Sequence, residues 1–171
     1  MAAKVVNQTE NADISMKIIR PCMELERCII MEELLALAIL LYEEMVTKDE
    51  YDKKLDELFL NNPENDDLLY LEWEKDIEKA VIYIRTHTDY NYFDYKRFGR
   101  ILMSRLKVNY KKCSDIRDFA DQMYNLWESL PGIIQDREPF FTLCYADDPL
   151  SWGDEEQTRN IYENMMNYYD H

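Results

Sequence analysis

Leu34-Leu35-Ala36-Leu37-Ala38-Ile39-Leu40-Leu41 is the stretch that decides the fold class of this chain. Around it Leu25, Cys28, Ile29, Leu35, Ile39 and Tyr42 recur at spacings of three, four and their sums, so residues 24–46 read as one helix. A helix that is apolar on every side belongs at the centre of a core. Eight apolar residues are too few to span a bilayer, which takes about 20. With only 3 Gly and 5 Pro to interrupt 171 residues, the rest of the chain favours helices over a turn-rich β architecture.

Outward from that helix, Thr47-Lys48-Asp49-Glu50 reads as a capping box opening a second helix over about 48–60, with Tyr51, Leu55, Leu58 and Phe59 on one face. Asn61-Asn62-Pro63 stops it. A third helix is expected from about Glu64 to Thr86, with Leu69, Trp73, Ile77, Ala80, Val81 and Ile84 as its core stripe. A fourth, about 92–111, turns Phe98, Ile101, Leu102 and Leu106 inward. Ser114 is the expected N-cap of a fifth helix ending at Leu130-Pro131-Gly132, with the clean stripe Ile116, Phe119, Ala120, Met123, Leu126 and Trp127. Residues 133–152 contain Pro139 and Pro149 and read as an irregular or extended segment, before Gly153-Asp154 opens a last helix. The expectation is one all-α domain of about six helices over 23–171, preceded by a flexible polar leader over 1–22.

Charge is unevenly placed. Thirty-five acids face 20 Lys and Arg, a formal net charge of −15. Residues 1–84 carry 20 acids and 9 bases, 85–117 carry 9 bases and 3 acids, and 118–171 carry 12 acids and 2 bases. Such a chain repels polyanions and attracts basic proteins. The basic stretch Lys96, Arg97, Arg100, Arg105, Lys107, Lys111 and Lys112, interleaved with Tyr92, Phe93, Tyr95 and Tyr110, has the composition of a nucleic-acid face. In so acidic a protein its expected role is internal, pairing with acidic neighbours, and no direct nucleic-acid contact is expected.

No motif names a reaction. His87 and His171 are the only histidines and offer neither an H-x-x-x-H nor an E-x-x-H spacing, so no metal site is expected. Asp49/Asp52, Glu64/Asp67 and Asp118/Asp121 are each three apart, as in Mg²⁺-dependent all-α nucleotide pyrophosphohydrolases, but such pairs arise by chance at this acid density. Gly99, Gly132 and Gly153 are too scattered to cradle phosphate. Cys22, Cys28, Cys113 and Cys144 form no C-x-x-C pair and read as reduced thiols, which points to the cytoplasm. No apolar signal segment is legible in residues 1–22. The expectation is no enzyme, no catalytic residue and no cofactor.

The sharpest local feature is Tyr145 to Glu156, where Asp147, Asp148, Asp154, Glu155 and Glu156 surround Trp152 in a segment broken by Pro149 and Gly153. Aromatic anchors ringed by charge are the composition of interface hot spots. Asp147, Asp148, Trp152, Asp154, Glu155 and Glu156 are therefore the candidate partner-binding residues, joined by Asp66, Asp67, Glu72 and Glu74.

Leu126-Trp127-Glu128-Ser129-Leu130-Pro131, Glu138-Pro139-Phe140-Phe141 and Gly153-Asp154-Glu155 give the last third of the chain a look similar to bacterial immunity proteins of polymorphic and contact-dependent toxin systems. The resemblance is one of class. It implies a stoichiometric inhibitor of a basic toxin, a nuclease for preference, that acts in the cytoplasm without a cofactor or a membrane. The alternatives are a DNA-mimicking antagonist of a nucleic-acid enzyme and the Mg²⁺-dependent pyrophosphohydrolase.

Overall fold

The computed structural model describes residues 27–170, and the expected leader, 1–22, lies outside them. Helix α1, residues 27–42, carries the apolar run at the centre of the core, where Leu34, Leu35, Ala36, Ala38, Ile39 and Leu40 are wholly buried. Each buried Leu or Ile contributes about 1.5–3 kcal/mol. The helix closes at Glu44, whose φ of 57° is left-handed, as Met45 N–H reaches back to the Leu40 carbonyl at 2.7 Å.

Seven further α-helices and two 3₁₀ turns follow: α2 (Lys48–Asn61), α3 (Asp66–Trp73), α4 (Ile77–His87), α5 (Tyr95–Lys112), α6 (Ile116–Glu128), α7 (Gly132–Gln135), 3₁₀ turns at Phe140–Cys144 and Asp148–Trp152, then α8 (Glu155–Met166). The chain is an all-α single domain, and no strand occurs among the described residues. Thr47 caps α2 as expected, its hydroxyl accepting from Glu50 N–H at 3.3 Å.

Three expectations need correction. Residues 64–86 are two helices. Asp76 is extended and accepts from Glu78 N–H and Lys79 N–H, so it starts a new helix instead of continuing the old one. Leu68 and Leu71 become the buried residues of α3, while Leu69 and Trp73, expected in the core, are 44% and 79% exposed. The cap of α6 is Asp115, not Ser114; its carboxylate accepts from Arg117 N–H at 2.8 Å. Residues 133–152 are short helical turns rather than an extended piece, because Phe140 and Leu143 bury their side chains three apart, the period of a 3₁₀ turn.

Aromatic contacts fasten the C-terminal third to this core. The Phe98 ring of α5 lies 5.6 Å from Phe140, and Phe119 of α6 meets Tyr162 of α8 edge-on at 5.1 Å. Gly99 permits the last close approach: a Cβ there would lie 2.1 Å from the ring of Tyr169. Three cations of α5 pair with acidic neighbours as expected, Arg97 with Glu33 of α1, Arg105 with Glu50 of α2 and Lys107 with Asp170, whereas Lys96, Arg100, Lys111 and Lys112 are exposed and have no ion pair among the described residues.

Candidate functional site

The 3₁₀ turns and the start of α8 hold the candidate surface in place. Gln135 ties α7 back to the end of α6 by donating to the Trp127 carbonyl at 2.8 Å. Phe140, Leu143 and Ala146 then bury against α6 and α8, which leaves Asp147 and Asp148 on the outside. Pro149 is buried in the first turn of Asp148–Trp152, and Gly153 ends that turn at a φ of 85°, the left-handed region glycine enters without a steric cost. Asp154 caps α8 by accepting from Gln157 N–H at 2.9 Å, and Glu155 and Glu156 occupy its first turn, favoured by the helix dipole.

Asp148, Asp154, Glu155 and Glu156 are exposed, Asp147 is half-buried, and the Trp152 side chain is 64% exposed beside them. Glu155 lies 3.5 Å from Arg117 of α6. Asp147, Asp148, Asp154 and Glu156 have no ion pair among the described residues. The acids also converge on shared neighbours. Burial pushes the Cys144 thiol up, and Asp148, Asp147 and Glu138 push it further. The buried Tyr162 hydroxyl is raised by burial and then by Asp147 and Asp121. Asp147 thus acts on both groups, and Asp121 of α6 acts with it on Tyr162. Beside it, a groove of about 260 Å³ is lined by Glu138, Pro139, Tyr145, Ile161, Met165 and Tyr168.

Asp121 was visible in the sequence only by its spacing from Asp118; its action on the Tyr162 hydroxyl depends on α6 packing against the Phe140–Cys144 turn and α8. Asp67, expected to join the surface, is instead buried, paired with Arg27 at 2.7 Å and accepting from the Tyr83 hydroxyl at 3.0 Å. Glu72 is half-buried against α2, and its carboxyl is raised by burial and by Asp56. Glu74 accepts from Asp76 N–H, and Asp66 stands exposed at the start of α3. These four sit on the α2–α3 layer, and no hydrogen bond or ion pair joins them to the C-terminal acids among the described residues.

A second cleft, about 360 Å³, lies over the first turns of α5 between Glu33, Asp94, Lys96, Arg97 and Arg100. Its lining mixes both signs, and Arg97 is already held by Glu33. Among the described residues no group of three or more His, Cys, Asp or Glu could hold a metal ion, and no helix is long and apolar enough to cross a membrane. Asp52 is held by Lys48 at 2.7 Å, and the His87 ring stacks on Tyr83 at 3.8 Å.

No family model, curated protein or solved structure matches the chain. The surface has to be understood from its own chemistry.

Proposed function

We propose that this protein works by binding: it neutralises a basic partner protein, a toxin with nuclease activity, by forming a stoichiometric complex in the manner of the bacterial immunity proteins it resembles. One observation supports this above the others. Asp147, Asp148, Asp154 and Glu156 have no ion pair among the described residues and flank an exposed Trp152. A soluble protein gains nothing from concentrating like charges around a bare indole, whereas a cationic partner gains both steering and an anchor. Lys and Arg side chains that would grip phosphates meet carboxylates, and the indole fills an apolar site between them. Binding of this kind blocks the nuclease either by occupying its phosphate positions or by covering the approach to them. Residue roles follow: Asp147, Asp148, Asp154, Glu155 and Glu156 attract, and Trp152 holds.

The test is recovery of the chain from its native cells with whatever it binds. A basic protein in equimolar amount is expected, and its cleavage of nucleic acid stops when one equivalent of the chain is added. The quadruple change Asp147→Lys, Asp148→Lys, Glu155→Lys and Glu156→Lys restores cleavage. An acidic partner, or cleavage that continues with the chain in excess, ends this reading.

A further inference from the structure

Helix α5 carries seven Lys and Arg and no Asp or Glu over Tyr95–Lys112, and we propose that single-stranded nucleic acid lies along its outer face. Lys96, Arg100, Ser104 and Val108 are exposed and recur every four residues, and the exposed Lys111 and Lys112 continue the line. From Lys96 to Lys112 this ridge is about 24 Å long. The acids that reach α5 from other elements are engaged. Glu33 pairs with Arg97 and Lys54, Glu50 with Arg105 and Asp170 with Lys107. Lys96, Arg100, Lys111 and Lys112 have no ion pair among the described residues. The caps Asp94 and Asp115 and the Glu163 partner of Tyr110 are the acids left at the edges. Arg159 of α8 acts on the Tyr110 phenol and adds a fifth cation, so the ridge stays positive.

What the ridge lacks selects its occupant. A protein partner needs an aromatic or aliphatic anchor, and Val108, 43% exposed, is the one large apolar side chain standing exposed on it among the described residues. A bilayer takes up a helix by its apolar face, and that of α5 is already in the core, where Phe98, Leu102 and Leu106 are wholly buried. Phosphates need neither, only a line of cations. Lys96 and Arg100 also line the cleft of about 360 Å³ over the first turns of α5, a recess for one phosphate. Tyr92, 64% exposed just before the Asp94 cap, offers a ring to a base that only an unpaired strand can bring. A duplex carries twice the charge per length of one strand, so the net charge of −15 repels it more strongly.

Fluorescence anisotropy of a labelled oligo-dT strand about 12 nucleotides long, titrated with the full chain at low salt, tests this. Saturable binding is expected. Its logarithm falls against that of salt with a slope no steeper than about −3, the value for four contacted phosphates. Lys96→Gln/Arg100→Gln and Lys111→Gln/Lys112→Gln each raise the dissociation constant at least about fivefold and make the slope shallower by about 1.4. Lys75→Gln/Lys79→Gln makes the same change in net charge away from the ridge and leaves the slope unchanged. Tyr92→Ala weakens binding at least about fivefold by removing the stacking ring. All these side chains are exposed, so the changes test binding and not folding. No binding at the lowest salt, equal weakening by the Lys75/Lys79 pair, or tighter binding of a duplex overturns the proposal. Displacement of the strand by polyglutamate at equal charge concentration overturns it too, because an acidic protein would then be the occupant.

Discussion

Trp73 and Trp152 are exposed to comparable degrees, 79% and 64%, and both stand on helical turns among acidic residues. What separates them is how the surrounding charges are engaged. Beside Trp73, Lys79 lies 3.7 Å from Asp76 and Lys75 donates to the Glu72 carbonyl. Around Trp152, Arg117 meets Glu155, and Asp147, Asp148, Asp154 and Glu156 have no ion pair among the described residues. An exposed indole offers area and an anchor to any partner; the surrounding ions decide which partner can approach. The unpaired acids around Trp152 suit a cationic partner, and that complex is expected to weaken as salt rises.

The largest effect comes from beneath both faces. Leu35 is wholly buried in α1, and Leu35→Ala is expected to cost about 2–5 kcal/mol from lost burial and the cavity left behind. Urea unfolding measures it as a lower midpoint at unchanged slope. Both faces rest on this core, so partner binding at Trp152 should weaken under conditions where unfolded chain is populated.

Separating the faces takes the two rings. Trp152→Ala is expected to cost at least about 2 kcal/mol in affinity for the basic partner, read by calorimetric titration, whereas Trp73→Ser leaves that affinity unchanged. If both changes weaken it equally, the two surfaces are one and the contrast collapses.

Alkaline pH sharpens the comparison at the Trp73 face. The Tyr83 phenol is pushed up to about 12, first by burial and then by its bond to Asp67. Its ordinary value is 10.0, so the folded chain keeps a proton that the unfolded chain releases. That contribution to stability is complete below pH 10 and lost as pH rises through about 12. Tyr83→Phe should remove the loss, seen as a smaller drop in the thermal midpoint between pH 9 and 11 than the parent shows. Asp67→Ala should bring the phenolate absorbance change of Tyr83 to lower pH. An unshifted titration would mean that burial alone raises it.

How much of this was legible beforehand depends on whether local or tertiary forces fix each element. The apolar run in α1, the Thr47 cap, the stripe of α6 and the Asp154 cap of α8 are local, and all are readable. The break at Glu74-Lys75-Asp76 is not, because Leu69, Trp73, Ile77 and Ala80 keep helical spacing straight across it and no Gly or Pro interrupts them. Asp76 simply bonds the next helix's amides instead of its own helix's carbonyls. Ser114 and Asp115 are both capable caps one residue apart, and spacing alone cannot choose between them. At the candidate surface, Asp147 to Glu156 were visible as a run, while the action of Asp121 on Tyr162 and of Glu138 on Cys144 arises only through packing. The exclusion of Asp67 is tertiary as well, since Arg27 and Tyr83 approach it from α1 and α4.

The smallest expected effect is at Gly153, which links Trp152 to Asp154 with a φ of 85°. A Cβ there would meet open space, so Gly153→Ala costs backbone strain alone, about 1 kcal/mol. Part of that cost can be relieved by rotating the turn, which would swing Trp152 relative to the carboxylates of α8. A slightly lower unfolding midpoint is therefore expected together with a few-fold weaker grip on the basic partner. Glu44, left-handed at the end of α1 with a φ of 57°, supplies the control. Glu44→Gly relieves strain there and should stabilise the chain by about 0.5–1 kcal/mol, with no change at either indole. Partner binding that is indifferent to Gly153→Ala would mean that the turn does not set the spacing of ring and charge, and that the acids attract independently of where Trp152 points.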